Sequence, residues 1–410
     1  MTKLSQVLLV LKHLEMKGSD FMANTLTVDQ AASILNEAVS QATGKNPLGG
    51  VNAGDFTTIA TTAVQCGYDV MLNAITQVLQ RTIFSIRPYY AKFKGMEMDS
   101  NAWGAITRKI NYIDRPSGEN AEWQLTDGQS IDQWKVNKPK VLQTNFYGYN
   151  TFMRDTTIFE NQMNLAFSNA EEFARFASGV IQNINDMIEQ DKETISRMTL
   201  GNAIAGTIAS GGTVIHLLTE YNADTGLTLK ATDINKPANF EAFYKWVYAR
   251  IAVISDMLTE RTLKNHINVT GKEITRHTPY ADQRLYLFSP TQRKISSMLL
   301  ANTFNKELLE YADHESVNYW QSYDKPDSIN IKASYMNPTD GTIKTEEQAK
   351  THANIFGVIM DKEMCGISLY NNRVATTPFN AKGLYWNQFW HYTLRWYNDF
   401  TENCVVFLLD

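Results

Sequence analysis

The feature that most constrains this chain is a stretch of roughly fifty residues with the period of β-structure and no core of its own. From Trp103 to Phe152 residues alternate in two rows: Ile106, Arg108, Ile110 and Tyr112 in one, Thr107, Lys109, Asn111 and Ile113 in the other. Neither row is cleanly apolar. Arg115-Pro116-Ser117-Gly118 and Asp127-Gly128 read as turns. The return carries Trp123, Ile131, Trp134, Val136 and Val141 and ends in the aromatic run Phe146-Tyr147-Gly148-Tyr149. Arg108, Lys109, Arg115, Lys135, Lys138 and Lys140 stand against Asp114, Glu119, Glu122, Asp127 and Asp132, so the charge is nearly balanced. Spaced tryptophans among mixed charges suit contact with another protein, where aromatic anchors dominate the energy and charge pairs set the register. A solvated hairpin that touches nothing is the alternative.

A long helix follows at once. Asn169 is an N-cap candidate, and Glu171 and Glu172 fall in the first turn, where the helix dipole favours negative charge. Phe173, Phe176, Val180, Ile184, Met187 and Ile188 keep three-four spacing, and Gly201 supplies a stop. The expected helix runs from Ala170 to about Leu200, roughly 45 Å at about 1.5 Å per residue. One apolar stripe of that length predicts a backbone laid across a sheet.

Elsewhere the chain alternates between both kinds of element. Near the start, Thr27-Val28-Asp29-Gln30 has the form of a capping box, and Val28, Ala31, Ile34, Leu35, Ala38 and Val39 make one apolar stripe. Gly44 to Gly54 then breaks the helix. Such an arm serves either a neighbouring subunit or its own domain. Asp55 to Gln80 is helical in pattern, and Ile83 to Tyr90 is extended around Pro88. Beyond Gly201, glycines 206, 211 and 212 lead into a turn-rich strand region, Val214 to Lys230. Phe240 to Glu260 reads as a helix with Phe243, Tyr244, Val247, Ile251, Ile254 and Leu258 on one face. Leu285 to Phe288 is a buried-type strand, and Ser289-Pro290-Thr291 opens another helix. Ile355 to Met360, Gly366 to Tyr370, Phe389 to Trp396 and Val405 to Leu409 are strands. The whole is an α+β pattern. Leu4 to Leu11 is apolar but too short to span a bilayer. Met22 has the look of a natural start, with residues 1–21 an over-extended reading that the intact mass of the native product would test.

Composition and motifs remove several function classes. With 410 residues and 43% apolar content, the chain can bury a substantial core. A formal net charge of -5 argues against a dedicated nucleic-acid binder, because phosphate affinity comes from Lys and Arg. A surface that merely encloses nucleic acid has no such requirement. Cys66, Cys365 and Cys404 form no CxxC pair and read as packed thiols of a reducing compartment. The seven histidines are scattered without an HExxH motif. Neighbours in Asp313-His314-Glu315 point apart, so that triplet reads as a polar turn rather than a ligand set. Neither a Walker sequence nor a Gly-x-Ser-x-Gly elbow occurs. No catalytic residue, metal ligand or cofactor is assigned.

In the order of its parts, extended loop, long helix, mixed domain and returning strands, the chain resembles the major capsid protein of tailed bacteriophages, whose fold is shared by herpesvirus shells and encapsulins. The resemblance divides the chain into an over-extended start (1–21), an N-terminal arm (22–54), the first part of a peripheral domain (55–102), an extended loop (103–144), a peripheral domain with a spine helix (145–235), an axial domain (236–376) and return strands (377–410). It implies a non-enzymatic head protein of the virion that assembles with itself, in the host bacterial cytoplasm, into hexamers and pentamers. Their icosahedral shell would enclose double-stranded DNA without specific binding, aided by a separate scaffolding protein and a portal, with no membrane. The implied inter-subunit residues are Arg108, Lys109, Arg115, Glu119, Glu122, Trp123, Trp134 and Lys135 in the loop, and Ile34, Leu35 and Val39 in the arm. Some relatives weld subunits by a lysine-to-asparagine bond; Lys109, Lys135, Lys138 and Lys140 lie in the corresponding segment, but nothing identifies a partner asparagine or catalytic glutamate, and that chemistry is not proposed. An encapsulin-like cargo shell is the near alternative, and a soluble α+β enzyme or ligand-binding protein the distant one.

Overall fold

The computed structural model describes residues 35–40, 93–98, 107–113, 141–146, 149–162, 170–293 and 314–410, with isolated positions between 123 and 140. The chain divides into two compact units. One draws its described residues from Met1–Ala91, Thr151–Lys192 and Leu369–Thr393, the other from Lys92–Asn150, Glu193–Ser368 and Leu394–Asp410.

The second unit is built on a five-stranded mixed sheet. Its strands are β4 (Thr213–His216), β5 (Gln283–Phe288), β6 (His314–Val317), β11 (Ile355–Asp361) and β14 (Cys404–Leu408), in the order β4-β14-β11-β5-β6. The central β11 is antiparallel to both β14 and β5, while the outer pairs β14–β4 and β5–β6 are parallel. Both β11 and β14 are buried at every position, the continuous apolar run required of a strand covered on both faces. A register shift between Ile355 and Gly357 lets Phe356 join Ile359 on one face.

Helices α2 (Leu217–Thr225) and α3 (Pro237–Leu258) cover that face. Pro237 opens α3, where its missing N–H costs nothing. Phe240, Phe243, Tyr244, Val247, Ile251, Ile254 and Leu258 pack with Leu285, Leu287, Val405 and Phe407. The expected helix from Phe240 is therefore present with the expected face. The turn-rich strand region expected from Val214 to Lys230 is instead the short β4 followed by α2. Leu217, Leu218 and Tyr221 recur at helical spacing and are buried, and this burial outweighs the weak propensity of the Thr, Asn and Asp between them.

The long helix α1 covers Ala170–Ala209, roughly 60 Å at about 1.5 Å per residue. It does not stop at Gly201. Ala203, Ile204 and Ala205 beyond the glycine are fully buried, which offsets a propensity cost of about 1 kcal/mol. The stop comes at Gly211, whose φ of 76° lies in the left-handed region. There Gly212 N–H closes on the Thr207 carbonyl at 2.8 Å.

A three-stranded sheet runs in the order β12 (Cys365–Thr376), β13 (Tyr385–Asn398), β3 (Tyr149–Phe159). In β13 the residues Trp386, Gln388, Trp390 and Tyr392 alternate inward with the period of a half-buried strand. Within the first unit Asp191 of α1 accepts both Arg154 of β3, at 2.8 and 2.9 Å, and the hydroxyl of Tyr392. Through Asp191 the long helix meets strands β3 and β13. Short strands β7 (Ile329–Ile331), β8 (Ser334–Met336), β9 (Ile343–Thr345) and β10 (Lys350–His352) pair as β7–β10 and β8–β9.

Candidate assembly surface

The segment of period two contains a hairpin. Strands β1 (Thr107–Tyr112) and β2 (Val141–Phe146) are antiparallel, from Thr107 opposite Phe146 to Tyr112 opposite Val141. Ile113 N–H extends the ladder to the Lys140 carbonyl at 3.0 Å. Side chains alternate, so the ribbon has two faces. Arg108, Ile110 and Tyr112 of β1 are exposed, as are Val141, Gln143 and Asn145, their cross-strand neighbours. Lys109, Asn111, Leu142, Thr144 and Phe146 form the more buried face.

Both faces are mixed: Ile110, Tyr112 and Val141 stand exposed beside Arg108, Gln143 and Asn145, while Lys109 and Asn111 turn to the body beside Leu142 and Phe146. Tyr112 is 70% exposed. Further along the loop, Trp123, Trp134 and Val136 are each at least 80% exposed, and Gly128, in the turn expected at Asp127-Gly128, has a φ of 81°.

The root of the hairpin is held by charge. Lys109 Nζ donates to Glu363 Oε2 at 2.8 Å and to Glu402 Oε1 at 2.5 Å, and lies 3.0 Å from Asp399 Oδ2 without hydrogen-bond geometry. Arg276 lies 3.0 Å from the same Glu402 oxygen, and its Nη2 donates to Asn111 Oδ1 at 2.9 Å. Phe146 packs against Tyr397 with ring centroids 4.5 Å apart. Burial works against the Lys109 charge, but Asp399 and Glu402 outweigh it and hold the ammonium above its ordinary range. Burial also pushes the Glu402 carboxyl up, with Lys109 and Arg276 opposing. A buried ionic cluster of this kind is weak evidence for stability, and its best-attested use is to fix register.

Of the loop residues singled out in the sequence, Arg108, Trp123 and Trp134 are at the surface, whereas Lys109 is engaged with three carboxylates of its own chain. Arg115, Glu119, Glu122 and Lys135 lie outside the described residues, as does Ile34 of the arm. Leu35 and Val39 belong to a helical turn, 35–40, and are fully buried within the single chain. Glu363, Asp399, Glu402 and Arg276 were not legible as root residues. The available signal was Asp399-Phe400-Thr401-Glu402-Asn403, two acids between two apolar strands.

Among the described residues no group of three or more His, Cys, Asp or Glu could hold a metal ion, and no helix is long and apolar enough to cross a membrane. His314 and Glu315 are successive residues of β6.

Comparison with known proteins identifies the architecture. A chain from the capsid structure of Staphylococcus phage Andhra aligns over 78% of this chain and 84% of its own length, with a TM-score of 0.52 at 11% identity. A chain from a structure of the head fibre and inner core protein of bacteriophage P68 covers 78% and 85%, with a TM-score of 0.48 at 11% identity. A sequence search of curated proteins finds no match. The Andhra likeness shows a phage capsid fold, consistent with the α+β order of elements. The model of one family, the Phi29-like phage major capsid proteins, matches residues 33–408, which takes in the hairpin, the long helix and both sheets. The chain belongs to the Phi29-like phage major capsid protein family.

Proposed function

We propose that this shell-forming head protein assembles by seating the outward face of its hairpin on an adjacent copy of itself. The observation that carries this reading is the exposure of Ile110, Tyr112, Val141, Trp123, Trp134 and Val136 while Lys109 is engaged inward by its own chain. A buried aromatic contributes about 150–250 Å², so these side chains supply several hundred Å² of apolar surface, a large part of the about 800 Å² per partner of a standard interface. Exposed apolar patches of that extent mark interaction sites.

Repeating one such head-to-tail contact closes rings, and a second contact between rings closes a shell, here read as hexamers and pentamers of an icosahedral head. The net charge of -5 suits a wall that encloses double-stranded DNA without gripping it. A separate scaffolding protein and a portal complete the reading, with assembly in the host bacterial cytoplasm and the product in the virion. The role is structural, not enzymatic. Membership of a phage head family favours this over an encapsulin-like compartment.

The deciding experiment deletes Arg115 to Gln129. The subunit is expected to fold with unchanged circular dichroism and to form no shells by electron microscopy; intact shells from that variant would remove the hairpin from the interface.

A further inference from the structure

We infer that Lys109 is a positioning residue that fixes the direction of the hairpin through a buried acidic socket in the Asp399–Asn403 turn; the inference rests on the hairpin meeting a neighbouring subunit. The inward row of β1 sends Lys109 and Asn111 to that turn, one directly and one through Arg276. Arg276 Nε donates to the Thr401 carbonyl at 3.0 Å, so the guanidinium is part of the socket wall.

The socket is rigid. Asp399 Oδ1 accepts from Thr401 N–H at 3.0 Å and from the Thr401 hydroxyl at 2.6 Å. Asn403 Nδ2 donates to Thr278 Oγ1 at 3.1 Å, and that hydroxyl donates to Asp361 Oδ2 at 2.8 Å. Cys404 N–H closes on the Asn265 carbonyl at 2.7 Å, and Asp399 N–H on that of Met364 at 2.8 Å. Asp399, Thr401, Glu402 and Asn403 are all at most 5% exposed. A turn tied this way on every side does not follow a moving strand.

Its buried charge, Asp399 and Glu402, is matched only when Lys109 is seated beside Arg276, Glu363 being half-exposed. Three carboxylates, Glu363, Asp399 and Glu402, face two cations, Lys109 and Arg276. Withdrawing Lys109 leaves the buried Asp399 and Glu402 with Arg276 alone, a strongly unfavourable state in a poorly solvated site. An apolar root tolerates many packings of similar energy. An ammonium triangulated by carboxylates from residues 363, 399 and 402 has one. The cluster thus makes other hairpin directions costly, and every exposed aromatic further along the loop inherits the angle set at the root.

Neutralising a charge and aiming a hairpin make different predictions for Lys109→Met and for Lys109→Met combined with Asp399→Asn. Lys109→Met is expected to raise amide exchange in 107–112 and 141–146 by about tenfold or more and to yield irregular shells or none. The double variant is expected to regain the thermal midpoint, because Glu402 keeps Arg276 and no buried charge is stranded, without regaining regular shells. Recovery of both, or normal exchange and normal shells in Lys109→Met, would overturn the inference. Should Lys109→Met not fold, Glu363→Gln removes one acceptor at a half-exposed position and is expected to raise exchange in the same strands about threefold; unchanged exchange there would overturn it equally. Normal shells from Lys109 variants alongside none from the loop deletion would refute the positioning role alone. Shells from the deletion would refute the interface on which it rests.

Discussion

A Cβ placed on Gly206 would lie 2.5 Å from the Phe400 ring and 3.2 Å from the Ser334 carbonyl. Gly206→Ala gains about 1 kcal/mol of helix propensity but overpacks a site that costs about 1–3 kcal/mol to open. The expected result in urea denaturation is no gain and a net loss of up to about 2 kcal/mol, against the gain that an exposed helical glycine would give. In the sequence this glycine read as part of a cluster leading into a turn-rich strand region. Its neighbour in space, Phe400, is far along the chain, and no local pattern reports a close approach of that kind. The thiols were more readable. Cys365 and Cys404 are fully buried, and burial pushes Cys404 up to about 11 and Cys365 further. Since the thiolate is the nucleophile, iodoacetamide at about pH 8 is expected to leave both unlabelled in the native subunit and to label both in denaturant, as read by peptide mass spectrometry. Native labelling at either position would contradict the burial.

At the scale of elements, the period of two between Trp103 and Phe152 foretold strands and their alternation. It could not say which row faces the body. That choice is made by Lys109, whose acceptors Glu363 and Glu402 lie 254 and 293 residues away, and by Tyr397, which receives Phe146. Because no local preference decides it, the more apolar row could be assigned outward only from the folded chain. The end of α1 was misread for a related reason: residues 203–205 are buried by tertiary contacts, and tertiary burial overrides a single glycine. The outward row has a direct test in Tyr112→Ser and Trp123→Ser. Both side chains are at least 70% exposed in the single chain, so unfolding free energies are expected to change by no more than about 0.5 kcal/mol. If they anchor an interface, each loses about 2 kcal/mol of contact, and the concentration needed for assembly rises by more than about tenfold. Equal losses in stability and assembly would mean that the residues serve the subunit rather than the shell.

For the whole molecule, the order of parts was the legible quantity, and the balance of forces between copies follows from the same surfaces. The large exposed side chains of the loop are apolar and aromatic, while Lys109 at the hairpin root is ion-paired within the chain. The net charge of -5 is small for 410 residues, so long-range repulsion between subunits is weak. An interface driven by apolar burial has an enthalpy near zero at room temperature, a favourable entropy and a negative heat-capacity change. One driven by ion pairs between exposed charges weakens steeply with salt. Assembly followed by light scattering is therefore expected to strengthen on warming from about 5 to about 30 °C. Between about 0.1 and about 0.5 M sodium chloride the critical concentration is expected to change by less than about threefold. A critical concentration that rose on warming and climbed with salt would place the driving force in charge pairs, and the exposed tryptophans and Tyr112 would then need another purpose.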